Sequence, residues 1–200
     1  MEVLLPGELP RPGPAPSTKG RRAEIVAAAR RILEDEGQEA LSMRRVAEAL
    51  GIRAPSLYRH FDNKGALELA LIEDGLEEIG EIAHRTLHES PPRARLESLL
   101  GAYRSYSLAH PHLYRLATVG PLARQSLRPL LEEWAGNPWF VVAGDPALAQ
   151  ALWSFAHGMV VLELDARYPP GSDLSATWRA GARAFENASA ARLTKGARRA

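Results

Sequence analysis
A chain of 200 residues with 46% hydrophobic content is long enough for one globular domain, or for a small module joined to a larger one. It has no cysteine, which excludes a disulfide framework, a thiolate nucleophile and thiolate metal ligands. A net charge of +1, from 25 Lys and Arg against 24 Asp and Glu, gives no global signal for a polyanionic partner.

Met1–Ser17 holds Pro6, Pro10, Pro12, Pro14 and Pro16, a spacing that blocks helix and sheet ladders, so residues 1–17 are expected to form a disordered Pro-rich arm. Lys19, Arg21 and Arg22 follow, either as a solvated patch or as a basic arm for phosphates. The first helix is expected from Thr18 to Glu36. Ile25, Ala28, Ala29, Ile32 and Leu33 recur at helical spacing, Ser17 or Thr18 can cap the start, and Gly37 can close the end. Ser42 caps a second helix whose buried face is Met43, Val46, Ala47 and Leu50. Gly51 turns the chain, Ile52 plugs the angle, and a short third helix follows with Pro55 in its first turn. Leu57 and Phe61, four apart, point inward.

Charge is distributed unevenly across the next boundary. Ser42–Lys64 carries Arg44, Arg45, Arg53, Arg59 and Lys64 against Glu48 and Asp62. Gly65–Ser90 carries Glu68, Glu73, Asp74, Glu77, Glu78, Glu81 and Glu89 against Arg85. A basic module is thus followed by an acidic amphipathic helix, Ala66–Glu89. Ser90–Pro91 opens a helix through Tyr103 and Tyr106, and a shorter one runs from His112 to Thr118. Leu122–Trp134 reads as helix and Gly136–Asn137–Pro138 as loop. Asp145–Pro146 caps a helix to about Arg167 that is apolar nearly all round, and Leu174–Leu193 makes the last one. No strand alternation and no repeat appear, so the expected class is all-α, with eight or nine helices.

Ser42-Met43-Arg44, Val46-Ala47, Gly51-Ile52, Ser56-Leu57-Tyr58, His60-Phe61 and Lys64 together resemble the TetR family of bacterial transcriptional regulators. The resemblance covers about a quarter of the chain. Trp153, His157 and Gly158 also resemble the Trp-His-Gly pattern of one subgroup of TetR C-terminal domains. The chain departs from the family at Arg45, where many relatives are acidic, and at Arg53, where many have a Ser or Thr cap. The resemblance implies a helix-turn-helix DNA-binding domain over residues 18–65 and a helical ligand-binding and dimerisation domain over 66–194; the residues 195–200 read as a basic tail.

A helix-turn-helix lays the start of its second helix in the major groove. Here that start offers Arg53, able to make a bidentate contact with guanine, Ala54 and Pro55 for apolar contact, and the permissive Ser56. Ser42, Arg44, Tyr58, Arg59, His60 and Lys64 suit phosphates, and the family resemblance supports Ser42, Tyr58, His60 and Lys64 in that role. One such module binds weakly, so a homodimer on a palindromic operator in double-stranded DNA is expected, probed through Leu152, Phe155, Met159, Val160, Trp178 and Phe185 on the last two helices. Tyr103, Tyr106, Tyr114, Trp134, Trp153 and His157 are candidates to line a cavity for a small apolar or aromatic effector, since the resemblance implies one.

Two other classes are weighed. His84 and His88, spaced i, i+4 with Glu81 nearby, could pair on zinc, but no H-E-x-x-H, glycine-rich phosphate loop or G-x-S-x-G is present. An adaptor without DNA binding would leave the basic helix-turn-helix unexplained. The reading is therefore a repressor-type regulator, not an enzyme, with no catalytic residues, metal or cofactor. The apolar run Met159–Leu162 is far too short to cross a bilayer, and no signal-peptide pattern appears, so a cytoplasmic protein without membrane contact is expected.

Overall fold
The computed structural model describes residues 5–14 and 20–197, with side chains described as far as Ala190. Among the described residues all regular structure is helical. The α-helices are α1 (Gly20–Glu36), α2 (Met43–Ala49), α3 (Ala54–Tyr58), α4 (Lys64–Glu89), α5 (Arg95–Ala109), α6 (Pro111–Thr118), α7 (Leu131–Ala143), α8 (Pro146–Leu164) and α9 (Leu174–Ala197). The Ser17 and Thr18 caps, Lys19 and the end of the basic tail lie outside the described residues.

The chain divides into two compact units. The first comprises residues 11–78 and 110–132, and so holds α1 to α3, the first part of α4, and α6. Its core is built from Ile25, Ala29 and Leu33 of α1, Val46 of α2, Leu57 of α3, Phe61 between α3 and α4, Leu67 and Leu71 of α4, and Leu113 of α6. The phenyl ring of Phe61 is 1% exposed. Truncating such a ring typically costs about 3–5 kcal/mol.

The same unit contains a nearly buried ion-pair group on α4. Glu77 receives Arg128 Nη2 at 2.7 Å and Arg11 Nη2 at 2.8 Å, and Glu73 accepts from the Arg128 amide at 2.6 Å. Burial pushes the Glu77 carboxyl up, but the two guanidinium groups outweigh it and hold its pKa below the ordinary value. A carboxylate depressed in the folded state stabilises above its unfolded pKa, and that contribution is lost as pH falls through the folded one. Arg128→Ala, which leaves the nearly buried carboxylate with Arg11 alone, is expected to cost about 2 kcal/mol in urea unfolding at neutral pH, with the gap to wild type closing in acid.

The second unit comprises residues 5–10 of the described arm, the end of α4, α5 and α7 to α9. Within it α5, α8 and α9 pack on one another. By length and composition α8 could cross a bilayer, but Leu152, Ala156, Met159 and Val160 are buried inside the unit. Gly181 of α9 accommodates the Phe155 ring: a Cβ there would lie 2.1 Å from Phe155 Cζ. At Gly158 of α8, by contrast, a Cβ would meet open space.

Two sequence expectations are corrected here. Residues 121–130 form irregular chain with one short 3-10 turn, Arg124–Ser126, where helix was expected. The helix α7 instead starts at Leu131 and runs through Gly136–Asn137–Pro138. Pro138 has no N–H to give the Trp134 carbonyl four residues earlier, and His84 Nε2 fills that place at 2.9 Å. The second correction concerns the arm. Over residues 5–14 it is held chain: the Glu8 side chain is 1% exposed, and Asn137 bonds both the Leu9 amide and the Gly7 carbonyl at 3.0 Å.

Candidate nucleic-acid interface
The turn between α2 and α3 is made by backbone bonds. Gly51, at φ 64°, closes α2. The Ile52 amide donates to the Ala47 carbonyl at 3.0 Å and the Gly51 amide to the Glu48 carbonyl at 3.1 Å, the paired bonds of a Schellman motif. A left-handed residue is needed there, which glycine supplies without a Cβ penalty. At the other end of α2 the Ser42 hydroxyl accepts from the Arg45 amide at 3.3 Å and leaves its own proton free to donate.

Helix α3 turns Leu57 fully inward and leaves Tyr58 50% exposed. Arg53, Pro55 and Arg59 are exposed too, and Ala54, Ser56 and His60 are half-buried. Arg53 sits at the N-cap with extended backbone and makes no side-chain cap bond, so its guanidinium is not used to start the helix. Arg44, 83% exposed, lies 3.3 Å from Glu48 one turn on, an exposed pair that a phosphate can readily replace. An exposed cluster of Arg53, Tyr58, Arg59 and Arg44 therefore surrounds a helix start of the kind that enters a major groove.

Other basic residues have structural employment. Lys64 Nζ donates to the Gln38 carbonyl at 3.2 Å and lies 3.4 Å from Glu68. Arg45 pairs with Glu36 at 2.6 Å, which raises its pKa through that hydrogen bond and charge. Arg21 pairs with Glu24 at 2.6 Å. Arg22 donates to the His60 carbonyl and lies over the Phe61 ring, 3.9 Å from its centroid. It fixes the end of α3 from α1, a role invisible in sequence because the partner is 38 residues away.

The six expected effector residues are divided between the two units. Tyr114 is buried in the first unit, on α6. In the second unit Tyr103 meets Trp139 edge-on at 5.0 Å, and Trp134 stacks on His84 at 4.7 Å. Trp153 stacks on His157 at 5.4 Å and is 42% exposed, and burial lowers the His157 pKa. A cavity of about 380 Å³ in the first unit is lined by Ala66, Leu69, Ile72, Leu116 and Pro121 among others, and one of about 170 Å³ in the second by Leu100, Arg104, Trp178 and Arg179 among others. Neither is lined by the six aromatic and histidine candidates.

Four of the six expected dimer residues face inward within the unit. Leu152 and Val160 are wholly buried inside the unit, and Met159 and Trp178 nearly so, because α5, α8 and α9 pack on one another. Phe155 and Phe185 are half-buried, 5.7 Å apart. The large apolar groups that α8 leaves exposed are Trp153 and Leu162, with Phe140 exposed on α7.

A Schellman-locked helix pair with an exposed basic and tyrosine-bearing second helix defines the helix-turn-helix class. Residues 25–71 match the family described as bacterial regulatory proteins, tetR family, and residues 96–185 match the tetracyclin repressor-like C-terminal domain. The chain is 32% identical over 178 residues to an uncharacterized HTH-type transcriptional regulator of Mycobacterium tuberculosis, covering 79% of each chain. It is 35% identical over 129 residues to an HTH-type transcriptional repressor of Streptomyces coeruleorubidus, covering 62% of this chain and 46% of that one. The structure of the multidrug binding protein EbrR complexed with imidazole superposes with a TM-score of 0.61 at 25% identity, covering 82% of this chain and 94% of the other. The chain belongs to the TetR family of transcriptional regulators.

Proposed function
We propose that this chain is a cytoplasmic repressor that binds a palindromic operator as a homodimer and is released by a small-molecule effector. The observation that carries the reading is the exposed Arg53–Tyr58–Arg59 surface of α3 on a turn locked by Gly51. Arg53 reads a guanine, Ala54, Pro55 and Ser56 fit against neighbouring base edges, and Ser42, Arg44, Tyr58, Arg59, His60 and Lys64 hold phosphates. Lys64 does so after exchanging its bond to Gln38.

Half-sites of such an operator lie about 34–36 Å apart, so two copies must be joined at a fixed spacing. Trp153, Leu162 and Phe140 support the second unit as the place where they join, since exposed large apolar groups gain most from being covered. Release follows if an effector binds more tightly to a conformer with the wrong spacing, by a few kcal/mol. The test is a fluorescence-anisotropy titration against DNA from upstream of the chain's own gene. Binding should be as a dimer and should weaken steeply as salt rises. Monomeric protein at binding concentrations, or affinity indifferent to salt, would sink the reading.

A further inference from the structure
The arm residue Glu8 and the histidines of α4 meet in the second unit, away from any role in DNA contact. His84 and His88 are one turn apart and face the same carboxylate. His84 Nδ1 contacts Glu8 Oε1, His88 Nε2 lies 3.1 Å from Glu8 Oε2, and the Leu5 amide donates to Oε2 at 2.6 Å. The back of the slot is Trp134, stacked on the His84 ring with an interplanar angle of 16°. Gly80 makes room for that indole: a Cβ there would lie 2.4 Å from Trp134 Cζ3.

Backbone chemistry sets the polarity of this slot. Pro138 leaves the Trp134 carbonyl without its helical donor, so His84 Nε2 must carry a proton to serve it. With Nε2 so committed, a neutral ring would turn its bare Nδ1 toward the carboxylate, lone pair against lone pair. The arrangement is satisfied when Nδ1 is also protonated, and His84 then donates at both nitrogens. The Trp134 carbonyl thus turns His84 Nδ1 toward the carboxylate. Asn137 adds a second recognition element, accepting from one arm amide and donating to one arm carbonyl. Among the described residues no group of three or more His, Asp or Glu side chains is placed to hold a metal ion.

We infer that the His84–His88–Trp134 slot is a binding site for small monocarboxylates, held in this structure by the chain's own Glu8 as a tethered occupant. A free carboxylate competes with the arm and frees residues 5–9 from Asn137. Calling that carboxylate the effector rests on the proposed function above; the site itself does not.

The test uses full-length protein with 13C-labelled histidine, followed by NMR. Glu8→Ala removes the Cγ and carboxylate that acetate restores. Acetate is expected to shift the His84 and His88 ring signals of Glu8→Ala saturably, at least tenfold more tightly than in wild type. The response should vanish in Glu8→Ala with His84→Phe. Glu8→Gln, which keeps the shape and loses the charge, should speed amide exchange at Leu9 and so reports on the occupant even if Glu8→Ala folds poorly. An equal acetate response in wild type and Glu8→Ala, no saturable response in Glu8→Ala, or zinc binding there in place of acetate would overturn the inference. Anisotropy with operator DNA is read separately. If acetate fills the slot and DNA affinity stays unchanged, the site stands and its role as the effector site is lost.

Discussion

Arg53→Ala combined with Tyr58→Ala is expected to abolish specific operator binding and to leave the helical circular dichroism spectrum unchanged. Each good bidentate base contact is worth about 1–3 kcal/mol, and a dimer loses two, so about 2–6 kcal/mol disappears before any phosphate term is counted. That exceeds a hundredfold in affinity near the middle of the range. Neither side chain supports the fold. Arg53 makes no cap bond, and Tyr58 stands half out of the surface. Arg59→Ala alone should weaken binding to all sequences alike and reduce the salt slope by about one per protomer. Lys64→Ala offers a useful contrast, because Lys64 also donates to the Gln38 carbonyl at the entrance of α4. Its effect should be partly on stability. Unchanged operator affinity in the Arg53 and Tyr58 double variant, measured by anisotropy, would remove α3 as the reading element.

Gly181→Ala is expected to be the most damaging single-methyl change in the second unit. Alanine is preferred over glycine inside a helix by about 1 kcal/mol, so the exchange would stabilise an open position. At Gly181 the added carbon would sit 2.1 Å from the Phe155 ring, far inside contact distance. That ring is held by the Trp178 indole, 5.7 Å away and nearly perpendicular, and by Phe185. It has little room to retreat, and overpacking of this kind costs about 1–3 kcal/mol or more. Thermal unfolding should show a clear loss of Tm for Gly181→Ala and recovery on adding Phe155→Leu. Gly158→Ala serves as the control, since it meets open space and should be neutral or stabilising.

Most of the first unit could be read directly from the residues. Ile25, Ala29 and Leu33, then Val46 and Ala47, then Leu57 and Phe61 repeat at helical spacing, and each lies buried where that spacing puts it. Ser42 and Gly51 mark their turns by chemistry that acts over a few residues. The α7 region failed for the opposite reason. Gly136–Asn137–Pro138 carries local signals for a loop, yet the helix persists because distant groups compensate. His84 serves the carbonyl that Pro138 leaves bare, and the Asn137 side chain serves the arm. Glu8 and Arg22 were missed likewise, since their partners lie 76 and 38 residues away. Tyr103, Tyr114 and Trp134 were legible as buried but not as filler or lining, because periodicity reports which way a side chain points and not what it meets there.

The turn at Gly51 has a consequence for how this regulator can change its target. The angle between α2 and α3 rests on backbone bonds at Gly51 and Ile52 and on the inward Leu57, none of which faces the solvent side of α3. Arg53, Pro55, Tyr58 and Arg59 can therefore be exchanged with little structural penalty, provided a proline or another helix-compatible residue stays near the start. Holder and reading tip are separable parts. A relative with the same Gly51 and Leu57 but other residues at 53, 55 and 59 would keep the docking pose and address a different stretch of DNA, much as one handle accepts many bits.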